Sequence, residues 1–553
     1  MIGGAQIREL YPDTRPRLAL LSFTFVLLIQ LTLVLGTAKG ISWDPSYGLL
    51  AAQQHRVGMS PSIFKLVEAD PVNISQLVET PVSYWAPAYQ FIPYAFRFFG
   101  FSWGESLNLT LAVALIVGAI GWFKYFARIF GSTEFACWLS ALLALTRFRW
   151  TMALTYDGGD QLIWAASPWV LISAATAFER IQERDLYGAS VRSGLAGALG
   201  ASLFALKFSG VFVAIGSAAV FASLCVKRRY WMMLAFAGFG FSAVILAIYS
   251  AGFPQGVTPA NSTKKLDVLQ SIAVFGMPAV GATDLDRLLR PFLSNIALSE
   301  ITTGLLIGLA LTLVTIVGLT YFVTNRSIAL PCGDRLLSKL AIGAVIADVM
   351  IVFMLMLRGA NVTPEGRFGR VSGLLLLPIV MVGWLKMLRD NRLIWRYFAI
   401  TSTVIFLFLP VIFATGRQLP TVIDRLRNDL VEVDREGVIN LELTPGTDTK
   451  AFYKEIASIH NEGLLYTIYP QMAFPIAWRT LILDEAEEQE TISTLSAKTY
   501  HGNPAGGITL LVPRSFEFNG KLDAIKSSFV DISRFQRHEL RSDPKWVLWV
   551  GSN

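Results

Sequence analysis

The residues of this 553-residue chain that could do chemistry fall in short polar clusters beside long apolar runs. Asp44 lies in Gly40-Ile-Ser-Trp-Asp-Pro-Ser-Tyr47, a few residues past the apolar run Leu18–Gly36. Asp157 and Asp160 lie in Thr155-Tyr-Asp-Gly-Gly-Asp-Gln161, and Arg147 and Arg149 come shortly before them. Lys207 interrupts two apolar runs in Ala205-Leu-Lys-Phe-Ser209. Glu365, Arg367 and Arg370 stand just before another apolar run. Carboxylates beside a membrane can take a proton, and guanidinium or ammonium groups at the same depth can hold a phosphate. That combination is the chemistry these clusters offer.

Each cluster also has a plainer explanation. Asp-Pro starts turns, so Asp44 could serve the backbone alone. Asp160 precedes an apolar run and could cap a helix. Lys207 could snorkel to the membrane surface, although an ionisable group at such a place marks function by default. Glu365 could pair with Arg367 or Arg370 on the surface, at little energetic gain. Asp44, Asp157 and Asp160 could flank an acceptor or share a divalent cation; no Asp-x-Asp motif is present, so the metal stays unknown and no cofactor is assigned. The four histidines have no metal spacing, and no Ser-His-Asp or Cys-His arrangement is evident. Trp43, Tyr84, Trp85 and Tyr89 are the aromatic candidates for substrate contact.

The elements that must position these groups are membrane helices. The chain is 53% hydrophobic and 16% charged, with a mean hydropathy of +0.51, whereas soluble domains carry about 25% charged residues. Apolar runs of about 20 residues are long enough to cross a bilayer. About eleven such helices are expected, near 18–36, 105–123, 133–149, 161–178, 193–206, 209–226, 232–252, 302–322, 339–357, 371–388 and 397–415. The first run is too long for a signal-peptide core and reads as a retained helix. The net charge of +7 comes from Lys and Arg in alternate loops, as the positive-inside rule would place them, and not from a nucleic-acid surface. The expected localisation is therefore an integral membrane protein of the cell or inner membrane with a cytoplasmic N-terminus. The three cysteines, Cys137, Cys225 and Cys332, offer no disulfide framework.

The opposite face carries the long segments. The first outer loop, 37–104, holds Asp44 and closes in the Pro- and aromatic-rich stretch Val82–Tyr94, which suits an interfacial helix. From about 416 the charge content becomes ordinary and apolar runs shorten to strand length, near 463–469, 480–483, 507–512 and 545–550, with helices near 450–460 and 520–529. The expected organisation is a transmembrane domain, 1–415, and a small soluble α/β domain, 416–553, on the extracytoplasmic side.

Order and spacing carry a family resemblance. One helix is followed by a long outer loop with an early Asp. That loop closes in Phe98-Phe-Gly-Phe-Ser102, and the next helix ends in Tyr125-Phe-Ala-Arg-Ile-Phe-Gly131. Asp157 and Asp160 open the fourth helix, Lys207 separates the fifth and sixth, and Glu365-Gly-Arg-Phe368 precedes a Leu-Leu-Pro helix. Over residues 15–390 this resembles the GT-C superfamily of polytopic membrane glycosyltransferases, which includes the protein O-mannosyltransferases and aminoarabinose transferases. The family often has two adjacent acids in the first loop, where Asp44 stands alone, and an Arg-Tyr where this chain has Arg367-Phe368. The resemblance implies transfer of a sugar from a polyprenyl-phosphate donor to a lipid, glycan or protein acceptor. It implies Asp44 as general base, assisted by Asp157 and Asp160, and Arg149, Lys207, Glu365, Arg367 and Arg370 at the donor phosphate. Two other readings are an O-antigen-type polymerase or ligase, whose long loop usually comes late, and a transporter or flippase, which would place ionisable groups inside repeated, broken helices.

Overall fold

A computed structural model of the chain describes residues 15–56, 62–66, 73–75, 77–81, 86, 88–250, 268–285, 300–326, 334–358, 365–427, 431–459, 463–475, 480–482, 492, 499–504 and 506–552. Among these, ten helices are long and apolar enough to cross a membrane. The chain is thus a polytopic α-helical membrane protein with small sheets.

Helix α1 is Pro16–Gly36, with its proline at the first helical position, where the missing N–H costs nothing. Strand β1, Lys39–Ile41, leads into α2, Trp43–Arg56. A hairpin follows, β2 (Ser62–Leu66) and β3 (Leu77–Pro81). Next comes α3, Ala88–Phe98, the interfacial segment expected in part from the Val82–Tyr94 stretch. Helix α4, Trp103–Phe130, begins with a capping box between Ser102 and Glu105 and ends at left-handed Gly131.

The span expected at 133–149 is two short helices, α5 (Thr133–Leu143) and α6 (Arg147–Leu154). The break falls where Thr146 turns extended and heads the second helix. Alone, α5 has 11 residues and rises about 16 Å, half a hydrocarbon core. From Gly131 at the end of α4 the two lead to β4, Thr155–Tyr156, which pairs with β1. The described residues thus hold ten candidate spans where about eleven are expected, and 133–149 is not one of them.

The remaining spans are α7 (Gly159–Gln182), α8 (Leu186–Leu206), α9 (Gly210–Arg228) and α10 (Trp231–Ser250). Two short helices, α11 (Val268–Ala273) and α12 (Met277–Gly281), lead to α13 (Glu300–Arg326), α14 (Arg335–Leu357) and α15 (Arg370–Leu388). The last span joins α16 (Leu393–Thr403) to α17 (Leu409–Arg427) through a π-helical turn at Val404–Phe408.

The C-terminal part holds β5 (Val438–Asn440), α18 (Thr449–Ile459), β6 (Leu464–Thr467), α19 (Pro470–Ala473), β7 (Thr480–Ile482), β8 (Ile508–Pro513), α20 (Lys521–Ser527), β9 (Arg534–Glu539) and β10 (Trp546–Ser552). Five of these strands form a mixed sheet in the order β7-β6-β8-β10-β9, parallel through β7, β6 and β8 and antiparallel beyond. Strand β8 is buried along its whole length, as a central strand should be, and β9 is a polar edge.

A second, smaller sheet bears on function. Its order is β4-β1-β5, and both pairs are parallel. Ile41 pairs with Tyr156 and with Asn440. The sheet ties the start of the Asp44 segment to the Asp157 segment on one side and to the C-terminal unit on the other. Lys39 in its central strand is fully buried and donates to the carbonyls of Val34 and Thr37, each at 2.7 Å. It caps the C-terminal end of α1, where a cation is favoured. Burial, and next the charge of Arg425, hold its ammonium well below the usual lysine range.

Candidate functional site

The turn Asp157-Gly158-Gly159-Asp160 is the hub of the site. Gly158 has φ +62°, and a Cβ there would lie 3.1 Å from Pro45 and 3.2 Å from Tyr89. A Cβ on Gly159 would lie 2.5 Å from the carbonyl of Leu206 and 2.8 Å from Cβ of Lys207. Only glycines let the α2 helix, at the residue after Asp44, and the end of α8, at Lys207, close on the same two peptides. Gln161 secures the turn: its Oε1 accepts from the amide of Asp157 at 3.0 Å and its Nε2 donates to the carbonyl of Thr155 at 2.9 Å. Asp44 is the second residue of α2. The side chains of Trp43 and Asp44, and Tyr84 and Trp85 altogether, lie outside the described residues. Tyr89 is buried, and its carbonyl accepts from the hydroxyl of Tyr156.

Asp160 stands in the first turn of α7, but the cap position is Gly158, and Asp160 does not cap. Its Oδ1 instead accepts from Nζ of Lys207 at 2.7 Å. Each partner also suits its own helix end, the acid at the start of α7 and the lysine at the end of α8. Asp160 further feels the charges of Arg367 and Arg370. Lys207 lies 4.8 Å from the ring centre of Phe368, and the guanidinium of Arg367 lies 5.2 Å from the same ring. One aromatic face thus gathers two cations. Arg367 pairs with Glu365 at 3.0 Å, one of the two pairings the sequence offered.

Arg370 opens α15 and is buried. Its guanidinium stacks 3.9 Å from the ring centre of Phe148. Its Nη2 donates to Oδ1 of Asp284 at 2.8 Å, and Nη1 of Arg147 lies 3.9 Å from Oδ2 of the same carboxylate. Asp284 is a functional candidate that the sequence reading passed over. It lies in an irregular segment after α12, with no periodicity to draw attention to it. The structure marks it by burial and by a left-handed φ of +54°, uncommon outside glycine. The segment reaches Arg370 because backbones meet closely there: a Cβ on Gly369 would lie 2.4 Å from the backbone of Met277.

Arg149 differs from the other cations. It is buried, and Gln30 accepts from its Nε at 3.1 Å and from its Nη2 at 2.5 Å. Its guanidinium lies 4.5 Å from the ring centre of Trp164. Among the described residues it has no carboxylate partner. Arg149 and Arg370 both line a small, partly open cavity, whose other walls include Phe23, Trp122, Phe126, Ser140, Phe148 and Trp164. Among the described residues, neither Ser140 Oγ nor Arg370 Nε has a hydrogen-bond partner. Aromatic walls and two buried guanidiniums give the cavity a positive, apolar lining.

The structure therefore brings Asp157, Asp160, Lys207, Glu365, Arg367 and Arg370 together beside the start of α2, with Arg149 in the adjoining cavity. No group of three or more His, Cys, Asp or Glu side chains suited to a metal occurs among the described residues. Asp348, inside α14, accepts from the hydroxyl of Ser372 on α15.

No family model and no curated protein matches the chain. Among solved structures it is similar to ArnT from Cupriavidus metallidurans bound to undecaprenyl phosphate, with 13% identity, a TM-score of 0.48, and coverage of 96% of this chain and 97% of that one. It is also similar to the Archaeoglobus fulgidus oligosaccharyltransferase, with 13% identity, a TM-score of 0.45, and coverage of 92% and 70%. A third likeness is to the arabinofuranosyltransferase AftD from Mycobacteria, with 12% identity, a TM-score of 0.40, and coverage of 98% and 40%.

Proposed function

We propose that the chain is a membrane glycosyltransferase that moves a sugar from a polyprenyl-phosphate donor to an acceptor at the extracytoplasmic surface, with Asp44 as general base. The observation that carries this reading is Arg149, a buried guanidinium that lines an aromatic cavity and has no carboxylate partner among the described residues. A buried, uncompensated cation is costly, and a bound anion removes that cost. The other cations near the turn are already balanced: Arg147, Lys207, Arg367 and Arg370 stand against Asp157, Asp160, Asp284 and Glu365. An incoming phosphate is therefore drawn toward Arg149 and the open Nε of Arg370. Phe23, Trp122 and Phe126 line the same cavity and offer the start of the polyprenyl chain an apolar surface.

The reaction is a single displacement. The acceptor hydroxyl or amide gives its proton to the Asp44 carboxylate as its oxygen or nitrogen attacks the anomeric carbon. The bond from that carbon to the phosphate oxygen breaks, and the polyprenyl phosphate leaves with the electron pair. Arg149, Arg370 and Lys207 stabilise the charge that develops there. The sugar carbon is inverted. Asp157 and Asp160 hold the turn on which the two halves meet, Asp160 through its pair with Lys207.

Binding tests the donor half directly. Trp122 and Trp164 line the cavity, so undecaprenyl phosphate should quench the intrinsic fluorescence of the purified protein saturably, and Arg149→Met should weaken that binding by roughly 10- to 100-fold. Equal quenching in both proteins would remove the phosphate from Arg149.

A further inference from the structure

The C-terminal unit touches the membrane part where the catalytic helix begins and again where it ends. Strand β5 supplies the third strand of the small parallel sheet, and Asn440 pairs with Ile41, three residues before Asp44. The approach is close: a Cβ on Gly40 would lie 2.5 Å from the side chain of Leu441. The next contact is α19, Pro470–Ala473, which packs against α2. Asn440 joins the two contacts, since its Nδ2 donates to the Tyr453 hydroxyl at 2.7 Å and lies 3.4 Å from the carbonyl of Gln471. The third contact is Phe474. Its ring meets Trp103 edge-on at 5.4 Å, and the Trp103 indole N–H donates to Gln53 Oε1 on α2. Phe474, Trp103 and Gln53 are all buried. Glu436 anchors the same region from below, pairing with Arg97 at 2.7 Å, while its carbonyl accepts from the amide of Gly104 at 2.8 Å.

These contacts have a common consequence. Helix α2 follows β1 directly and is not itself a membrane span. Its neighbours from the membrane part, Tyr89 and the Gly158 turn, meet it on one side. Residues that follow the last membrane span pack on it as well, at Pro470–Ala473 and, through Trp103, at Phe474. We infer that the C-terminal unit is the positioning element for the catalytic helix, and that Phe474 acts as a positioning residue for Asp44 through Trp103 and Gln53. This rests on the reading of Asp44 as the base.

Two single substitutions in the full-length protein test this, Phe474→Ala and Trp103→Phe. The first removes the ring that presses on Trp103, and the second keeps a ring but loses the indole hydrogen bond to Gln53. Amide hydrogen exchange reports the helix directly, without reference to activity. Exchange across 45–56 should rise by about tenfold or more in Phe474→Ala and less in Trp103→Phe, while exchange in α7 stays as in the wild type. Turnover should fall by roughly 10- to 100-fold, with KM for the polyprenyl-phosphate donor within about twofold, because misplacing a catalytic group costs rate and not donor binding. Unchanged exchange across 45–56 in both variants would overturn the inference. So would a loss of donor binding and thermal stability in step with turnover, which a general loosening would give. If the wild type transfers no sugar, the functional reading fails, and the exchange measurement still decides whether Phe474 holds the helix.

Discussion

Arg370 and Asp284 tie the segment after α12 to the start of α15, with Nη2 donating to Oδ1 at 2.8 Å and both side chains buried. Asp284 holds this position at a φ of +54°. A left-handed non-glycine residue carries about 1–3 kcal/mol of strain, which persists only where the surroundings fix it. The carboxylate also lies 3.9 Å from Arg147, so one acid offsets two cations. That arrangement keeps Arg370 charged and oriented while leaving its Nε open.

Removing Asp284 should therefore be costly. Asp284→Ala relieves no strain, because alanine disfavours positive φ as well, and it leaves the buried Arg370 unpaired. The expected loss is about 3–5 kcal/mol of stability, read as a lowered unfolding midpoint in detergent. Asp284→Asn keeps an acceptor and should lose less.

Gly158 tests the hub. Alanine there must adopt a φ of +62° and place its Cβ 3.1 Å from Pro45. The strain is about 1–2 kcal/mol, small for a protein of this size. The shift it forces on the start of α2 should lower transfer by about 10- to 100-fold, with membrane insertion and donor binding close to wild type. Full activity in Gly158→Ala would mean that the base is placed by other contacts.

Much of this was legible in the sequence because bilayer burial leaves a strong signal. Runs such as Leu18–Gly36 and the alternation of basic loops locate the spans. In the C-terminal unit, β6, β7, β8 and β10 were visible as short apolar runs at 463–469, 480–483, 507–512 and 545–550. Strand β9, Arg534-Phe-Gln-Arg-His-Glu539, was not, because as an edge strand it is polar on both faces. Strands β1, β4 and β5 have two or three residues each and leave no periodicity to read. Since they bring together Ile41, Tyr156 and Asn440, the convergence of the Asp44 segment, the Asp157 turn and the C-terminal unit could be seen only in three dimensions. The polar clusters at 157–160, 207 and 365–370 were found from their exceptional chemistry beside apolar runs. Asp284 was not, because an acid in a loop is ordinary until its burial is known. The span at 133–149 looked continuous because Thr146 is a weak break in composition and a strong one in geometry, where it heads α6.

Lys207 and Asp160 should behave as a coupled pair. Lys207→Met leaves a buried carboxylate without its partner, and Asp160→Asn leaves a lysine without its own. The double mutant should lose less stability than the two single losses added together, the difference being a coupling of about 1–3 kcal/mol. A double-mutant cycle on unfolding midpoints measures it. The double mutant should remain poor in transfer, since the cation is gone.

The C-terminal unit carries a pH-dependent term of its own. Asp434 is buried, and burial pushes its carboxyl up to about 6 although the amides of Glu436 and Val438 donate to its Oδ1. The folded pKa lies above the unfolded value of about 3.9. The folded protein therefore holds this proton longer than the unfolded chain does. The contribution is full below about pH 4 and is lost as pH rises through about 6, amounting to roughly 2–3 kcal/mol. Asp434→Asn should flatten that part of the stability profile, checked by unfolding midpoints across this range.

The central claim is that Asp44 takes the acceptor's proton. The direct measurement is transfer of labelled sugar from a polyprenyl-phosphate donor by Asp44→Asn in membranes, beside donor binding by the same protein. The account predicts transfer reduced by about 10²- to 10⁴-fold with donor affinity within about twofold of wild type. Transfer by Asp44→Asn at the wild-type rate would contradict it.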